Sequence, residues 1–309
     1  MQLDVVVGFF LLGMVAQLLK APIRMPKGLY QSLTLFLLIA IGLKGGVALN
    51  SHASGDLLIQ AVAVIAFGLA LPLIAFPILY KIGGLSRIDS ASVAAHYGSV
   101  SVATFAVAVA VLEANQIDYE PYFPLFVALL EVPAIAVGLW LARDRNQTLD
   151  LKKTAHEIFL NQGVLLLVGG LLIGWWAGAR ADTILPFFGT LFHGVLALFL
   201  LEMGRIAASQ LGVLRSCGSF IASFGVLMPL LGAALGALLA QLLELSSGGV
   251  ILLATLGGSA SYIAVPAAMA VALPKANQSL SITAALAISF PFNILVAIPL
   301  YSVLIGQGY

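Results

Sequence analysis

Ten stretches rich in apolar residues constrain this chain more than any other feature of its sequence. A helix needs about 20 such residues to cross the hydrocarbon core of a bilayer, and most of the stretches reach that length. They run over residues 5–19, 28–49, 57–80, 88–112, 122–142, 164–178, 190–211, 219–243, 249–273 and 280–304. The sequence therefore predicts an all-α polytopic membrane protein with ten transmembrane helices.

The composition supports a membrane protein and excludes several other classes. Hydrophobic residues make up 61% of the 309 positions and charged residues 9%, whereas a soluble domain is about 45–50% apolar and about 25% charged. So few polar side chains cannot cover the surface of a soluble protein. We therefore exclude a soluble enzyme, a nucleic-acid-binding protein and a disordered chain. The first stretch lacks the basic start of a signal peptide, and we expect it to be a true span.

The basic residues predict the orientation of the spans. Ten spans place alternate connections on opposite sides. Of the 14 Lys and Arg residues, 11 fall on one side, Arg180 alone falls on the other, and Lys44 and Arg205 lie within spans. Because cytoplasmic loops carry the excess of Lys and Arg, the side with 11 is cytoplasmic. We expect a multi-pass protein of the inner (plasma) membrane with both termini extracytoplasmic.

The two halves of the chain resemble each other. Gly98-Ser99-Val100-Ser101 matches Gly258-Ser259-Ala260-Ser261, 160 positions later, and Ala114-Asn115-Gln116 matches Ala276-Asn277-Gln278. A repeat of five spans places its second copy upside down in the membrane, as in many secondary transporters. We predict a 5+5 inverted repeat, with a first repeat at 1–145, a short cytoplasmic linker at 146–162 and a second repeat at 163–309.

Gly and Ser residues interrupt the fourth and ninth spans in mid-membrane. Backbone freed from a helix at this depth must line a cavity or be buried in protein. The half-helices beyond the breaks would begin near Val102 and Ile263, and helix N-termini attract anions because they carry partial positive charge and free N–H groups. The predicted substrate-binding residues are Gly98, Ser99, Ser101, Thr104, Gly258, Ser259, Ser261, Tyr262 and Ile263. The alternative is that these small residues only let helices pack closely.

A carboxylate and two prolines suggest a cation site. Glu131 lies in the fifth span just before Pro133, and the tenth span has Ser289 and Asn293 on either side of Pro291. Proline frees a backbone carbonyl one turn upstream, and transporters use such carbonyls to coordinate Na⁺. We predict a sodium site at Glu131, Ser289 and Asn293, and no organic cofactor.

Other polar residues within the spans have simpler interpretations. Glu131 could instead pair with Lys44 or His96, and His96 could sense protons. Lys44 and Arg205 lie about one turn from span ends, where long basic side chains extend to the interface. Glu202 precedes Arg205 by three residues, a spacing that suits a local helix pair.

Short motifs spread over both repeats agree with one family of transporters. The second span contains Ile41-Gly42-Leu43-Lys44-Gly45-Gly46-Val47-Ala48, and the seventh contains Met203-Gly204, Ala207, Ser209, Gly212 and Leu214-Arg215. The fourth, ninth and tenth spans contain Val100-Ser101, Thr104, Ser259, Ser261, Ile263, Pro266, Pro291 and Ile298-Pro299-Leu300. In these motifs the chain resembles the sodium-dependent bicarbonate permease family, first known from cyanobacteria.

The resemblance implies sodium-coupled bicarbonate uptake by a homotrimer with an elevator-like or rocking movement. The chain also departs from the family pattern: Val102-Ala103 replaces Gly-Ser after the first break, and Tyr262 replaces an Asp after the second. A tyrosine cannot act as a charged cation ligand. The connection between the repeats is short, which argues against a PII-like cytoplasmic regulator.

Three functions therefore remain in view. The leading interpretation is a secondary active transporter that imports a small anion, bicarbonate, with Na⁺. The apolar replacements would also suit a larger organic anion, and His96 or Glu131 could couple transport to protons instead. The third is a non-transporting scaffold or sensor, although a scaffold has no need for broken spans. An enzyme is not expected because the sequence shows no catalytic constellation.

The charge distribution generates a topological prediction. Reporter fusions that are active on only one side of the membrane should give opposite signals at Tyr309 and at Gln147, because ten spans place these positions on opposite sides. Equal signals at the two positions would contradict the ten-span arrangement.

Overall fold

The computed structural model describes residues 4–23, 25–52, 54–143 and 160–306, apart from the side chains of 214–217, and within these ranges the chain contains helices and no strand. In chain order the helices are α1 (Val5–Leu18), α2 (Lys27–His52), α3 (Gly55–Pro77), α4 (Arg87–Gly98), α5 (Val102–Ala114), α6 (Phe123–Ala142), α7 (Gln162–Ala177), α8 (Leu185–Val213), α9 (Gly218–Leu242), α10 (Ser247–Gly257), α11 (Ala264–Ala272) and α12 (Gln278–Ile305). Most of the predicted linker at 146–162 lies outside the described residues.

Eight helical stretches in the described ranges are long and apolar enough to cross a membrane. They are Lys27–His52, Gly55–Ile82, Arg87–Ala114, Phe123–Ala142, Gln162–Thr183, Leu185–Val213, Gly218–Leu242 and Gln278–Ile305. The first and ninth predicted spans are also helical, but their apolar helices, Val5–Leu18 and Ser247–Gly257, are too short to meet the same criterion. The all-helical membrane architecture is therefore confirmed.

Short polar side chains define where many of these helices begin. The side chains of Asp4, Ser54, Ser86, Ser101 and Ser246 each accept a hydrogen bond from a backbone N–H in the first turn of the following helix. Such N-caps satisfy donors that have no partner within the helix. In a chain with so few polar residues, these caps separate one apolar helix from the next.

A glycine separates α8 from α9. Backbone hydrogen bonding continues from Leu185 to Leu242, but Gly218 has φ 82° and ψ 162°, which is not helical. Residues with a Cβ rarely adopt a positive φ, whereas glycine does so readily. The two predicted spans on either side of Gly218 are therefore separate helices joined by a kink.

The helices pack in two groups. In the first group, α2 packs on α7 and on α8, and α1 packs on α8. In the second, α3, α4 and α6 contact one another, as do α9, α10 and α12. Contacts between α4 and α12 join these two triplets, and α5, which packs on α10, completes the second group.

Glycines allow the closest helix contacts, and a contact in the first half of the chain has a counterpart in the second half. A Cβ at Gly42 of α2 would collide with the backbone of α7 at Leu167, and one at Gly204 of α8 would collide with the backbone of α1 at Phe10. Without a side chain, the backbones of two helices can approach closely. Packing within the first group therefore depends on glycine at these positions.

The glycine contacts predict a sharp difference between two substitutions in α7. Gly174→Ala should destabilise the protein by on the order of 1–3 kcal/mol, because its Cβ would overlap the backbone of α2 at Leu43. Gly169→Ala, in the same helix, meets nothing within 4 Å and should leave stability unchanged or slightly raised, because alanine favours helix. Thermal unfolding of the purified protein in detergent compares the two. Equal melting temperatures would show that α2 and α7 can move apart enough to accommodate the added methyl group.

Candidate functional site

Two unwound segments interrupt the second helix group at the positions that the sequence predicted. α4 ends at Gly98 and α5 begins at Val102. In the second half, α10 ends at Gly257 and α11 begins at Ala264, with Ile263 as its N-cap. We call these segments, residues 99–101 and 258–263, the first and second break. The predicted half-helix starts near Val102 and Ile263 agree with the structure.

The two breaks contact each other directly. The backbone N–H of Ser101 donates to Ser259 Oγ at 3.1 Å, and the backbone N–H of Ser261 donates to the carbonyl oxygen of His96 at 2.8 Å. Ser259 Oγ in turn donates to the carbonyl oxygen of Leu256. Backbone groups that each break removes from its own helix thus find partners in the other half of the chain.

The serine hydroxyls beyond each break cap the half-helices. Ser101 Oγ accepts from the Thr104 N–H at 3.1 Å and from Thr104 Oγ1 at 2.8 Å, and Ser261 Oγ accepts from the Val265 N–H at 3.4 Å. Neither serine donates its own hydroxyl proton to a described residue in these contacts. Ser101, Thr104, Ser259 and Ser261 are all buried, with exposed fractions of 3% or less. The structure therefore holds these predicted residues together in a closed arrangement.

The other predicted substrate residues have different surroundings. A Cβ at Gly98 would meet the ring of Pro72, and one at Gly258 would lie 2.9 Å from the carbonyl oxygen of Pro229, so close packing accounts for both glycines. Tyr262 packs against Phe290 with 5.0 Å between ring centroids. Its buried hydroxyl points toward the Ser101 side chain without completing a hydrogen bond to any described residue.

The predicted cation residues each contact a break or a residue beside one. Ser99 Oγ donates to Glu131 Oε2 at 2.9 Å. Ser289 Oγ lies 2.7 Å from the Tyr97 hydroxyl, and Asn293 Nδ2 donates to the carbonyl oxygen of Gly258 at 2.8 Å. The three residues make no hydrogen bond to one another. In the described part of the chain there is no cluster of three or more His, Cys, Asp or Glu residues, although a sodium site of hydroxyl and carbonyl oxygens needs none.

The alternative pairings of Glu131 with Lys44 or His96 do not form, because its hydrogen-bond partner is Ser99. His96 Nδ1 instead contacts the carbonyl oxygen of Ser92 at 2.7 Å. The Lys44 ammonium lies 5.1 Å from the centre of the Phe192 ring. The predicted local pair between Glu202 and Arg205 is confirmed, with nitrogen–oxygen distances of 2.9 and 2.6 Å.

Helix α12 supplies irregular backbone beside the site. Two π-helical segments, Thr283–Ser289 and Asn293–Ala297, lie on either side of Pro291. π-bulges are rare and occur often at functional sites. Sequence reasoning found the proline but missed the wider hydrogen-bond pattern. It also missed Tyr97, which could have been suspected only as a polar group beside a break in an apolar span.

A comparison with protein families identifies the superfamily of this chain. The sequence profile of the Na⁺-dependent bicarbonate transporter superfamily matches residues 5–306, which include both breaks and both helix groups. The chain belongs to this superfamily. No curated protein matches the sequence. Superfamily membership and the apolar helices together establish a multi-pass membrane protein of a transporter family, so the resemblance detected in the motifs is confirmed.

Proposed function

We propose that this protein is a secondary active transporter that imports bicarbonate together with Na⁺, and that the anion binds between the two breaks. The observation that carries this proposal is the direct contact of the breaks through Ser101, Ser259, Ser261 and His96. A scaffold protein would gain nothing from unwinding two spans at the same place. A transporter needs polar backbone at this depth to replace the water that surrounds an ion.

Matching contacts in the two halves support ten spans arranged as an inverted repeat, with repeats at 1–145 and 163–309. Gly42 faces Leu167 as Gly204 faces Phe10, and Gly98 faces Pro72 as Gly258 faces Pro229. Likewise Gly68 packs on Leu130 as Gly225 packs on Ile288. Such equivalent pairs are expected when two copies of one five-span unit pack around a pseudo-two-fold axis. On this proposal the breaks face each other because the axis passes between them.

The chemistry of the breaks suits a small oxyanion. Bicarbonate accepts hydrogen bonds at its oxygens, and the protons of Ser101 and Ser261 are not donated to described residues. When the breaks separate, the N–H groups of Ser101 and Ser261 become additional donors at the starts of α5 and α11. Hydrogen bonds to a charged group contribute about 1.5–3 kcal/mol each, so a few of them can hold the anion without a Lys or Arg side chain.

The same arrangement suggests how Na⁺ is coupled to the anion. Glu131 lies at hydrogen-bond distance from Ser99 of the first break, and Asn293 holds the carbonyl of Gly258 in the second. A cation bound near Glu131, Ser289 or Asn293 would therefore fix the position of a break and favour anion binding beside it. In such coupling, binding of either ion makes the binding free energy of the other more favourable by the same amount.

The helix groups provide a route to alternating access. We propose that the second group, which contains both breaks, moves against the first group of α1, α2, α7 and α8 in an elevator-like or rocking motion. We further propose a homotrimer in the inner membrane with both termini extracytoplasmic. We propose no PII-like regulator.

Uptake into proteoliposomes tests the proposal. Radiolabelled bicarbonate should accumulate when a Na⁺ gradient is imposed and should not accumulate with K⁺ or a proton gradient. Ser101→Ala and Ser261→Ala should each raise the apparent KM for bicarbonate by roughly tenfold to a hundredfold, because one charged hydrogen bond is lost. Accumulation driven by protons, or uptake of an organic anion only, would contradict the proposal.

Ser101 needs a control because it also caps α5. Loss of an N-cap alone costs about 1 kcal/mol of stability, so some fall in melting temperature is expected for Ser101→Ala. Ser86→Ala removes the equivalent cap of α4 at the Asp89 N–H and should leave the KM for bicarbonate unchanged. A KM that rises equally in both variants would assign the effect to helix capping rather than to an anion site.

Glu131 generates a separate prediction for the cation. Glu131→Gln keeps an acceptor for the Ser99 hydroxyl, so the protein should fold, but it removes the negative charge that attracts Na⁺. Sodium-stimulated uptake should fall at least severalfold, and the concentration of Na⁺ at half-maximal stimulation should rise. Glu202→Gln, at a buried carboxylate that pairs with Arg205, is the matched control and should keep the sodium dependence. An unchanged sodium dependence in Glu131→Gln would make Glu131 a structural group.

A further inference from the structure

A cavity lined mainly by apolar side chains lies between the two helix groups, beside α5. It has a volume of about 130 Å³ and is lined by apolar side chains of α2, α5 and α8 together with Lys44, Glu113 and Tyr119. A water molecule occupies about 30 Å³ of liquid, so the cavity has room for a few waters or one small ion. It is bordered by α2 and α8 of the first group and by α5 of the second.

Lys44 gives this cavity a positive charge that is not part of a direct ion pair in the described residues. Its ammonium lies 5.1 Å from the centre of the Phe192 ring, and in the described part of the chain it forms no ion pair. Charged groups within spans are costly and generally mark functional positions. Lys44 lies within α2, eight residues before the helix ends at His52, and is half-buried.

The one carboxylate that lines the same cavity is already engaged elsewhere. Glu113 Oε1 accepts a hydrogen bond from the Tyr119 hydroxyl at 3.2 Å, and Oε2 lies 3.3 Å from His193 Nε2. Both oxygens therefore already have partners, and neither forms an ion pair with Lys44. Lys44 remains as the group in the cavity that is available to an anion.

The cavity follows α5 toward the first break. Glu113 is in the last turn of this helix, Val109 lies one turn earlier, and Phe105, which also lines the cavity, directly follows Thr104 beyond the first break. With a rise of 1.5 Å per residue, these positions span about 12 Å. The cavity thus extends along α5 from its last turn to Phe105, the residue after Thr104.

We propose that this cavity is an access vestibule for small inorganic oxyanions, with Lys44 as the residue that draws them in. The proposal rests on the function proposed above, because it places the vestibule on the path to the anion site between the breaks. Lys44 is a positioning residue for the incoming anion and has no part in the site between Ser101 and Ser261. A focused positive charge raises the local concentration of anions and their rate of arrival by about tenfold or more.

Cysteine labelling tests the vestibule without requiring transport. Cys217 is the only cysteine in the sequence, so Cys217→Ala provides a clean background for Pro121→Cys, an exposed position that lines the cavity. The measured quantity is the rate of reaction with anionic methanethiosulfonate ethylsulfonate divided by the rate with a cationic trimethylammonium reagent. We expect this ratio to be about tenfold higher with Lys44 present than with Lys44→Met. Lys44→Arg should keep the preference. Sodium bicarbonate should slow the sulfonate reaction more than sodium gluconate at the same ionic strength.

Ser51→Cys is the matched control, because Ser51 is exposed near the end of α2 and does not line the cavity. The ratio of sulfonate to trimethylammonium reaction rates at Ser51→Cys should not depend on Lys44. If the ratio at Pro121→Cys is also independent of Lys44, or if bicarbonate gives no protection, the vestibule is wrong. A faster reaction with the cationic reagent would instead indicate a cation path governed by Glu113.

Uptake then separates the vestibule from the proposed function. In proteoliposomes, Lys44→Met should raise the KM for bicarbonate by about tenfold and change kcat by a smaller factor, with Lys44→Arg close to the unmodified protein. An unchanged KM beside normal sodium-driven uptake would overturn the vestibule and leave the transporter intact. Lys44-dependent labelling in a protein that moves no bicarbonate would overturn the transporter and keep the anion cavity.

Discussion

The structure depends on the requirement that every backbone donor and acceptor at membrane depth has a partner. A continuous helix meets this requirement within itself, and a broken one does not. Here the partners come from the other half of the chain: the Ser101 N–H donates to Ser259 Oγ in the second break, and the Ser261 N–H donates to the carbonyl oxygen of His96 at the end of α4. Each break thus takes a backbone hydrogen-bond partner from the other half of the chain. The same groups are the donors that an anion would use.

Close packing is the second condition, because it brings the breaks together and holds the first helix group against the second. Lipid offers no hydrophobic drive for helices to associate, so tight contact between backbones has to supply it. Gly42 and Gly204 provide that contact in the first group, and Gly232 provides it in the second, where its Cα faces the backbone of Gly257. If both breaks lie in one rigid group, that group could move past the other group and carry an occluded ion with it. The Lys44 cavity lies on the boundary along which such a movement would occur.

Much of the site could be anticipated from local signals. Gly-Ser sequences in apolar spans marked both breaks and placed the starts of the following half-helices near Val102 and Ile263. The partners could not be anticipated. The alternative pairing of Glu131 with Lys44 or His96 is wrong, because its hydrogen bond goes to Ser99 instead, whereas its role in a cation site stays a prediction. Hydrogen bonds between residues far apart in the chain depend on helix rotation, which apolar stretches with no clear polar face do not specify.

The sequence by itself determined the class of the protein, the positions of its helices and the two places where helices stop. These features follow from the length of apolar runs, from the charges between them and from residues that disfavour helix, all of which act over a few neighbouring positions. Tertiary structure alone decided which groups meet: Ser289 with Tyr97, Asn293 with Gly258, and Lys44 with the Phe192 ring rather than with a carboxylate. The physical reason is that each of these contacts depends on how two or more helices are rotated and shifted against each other. Close contacts of glycine with backbone set that arrangement only when the whole chain is packed.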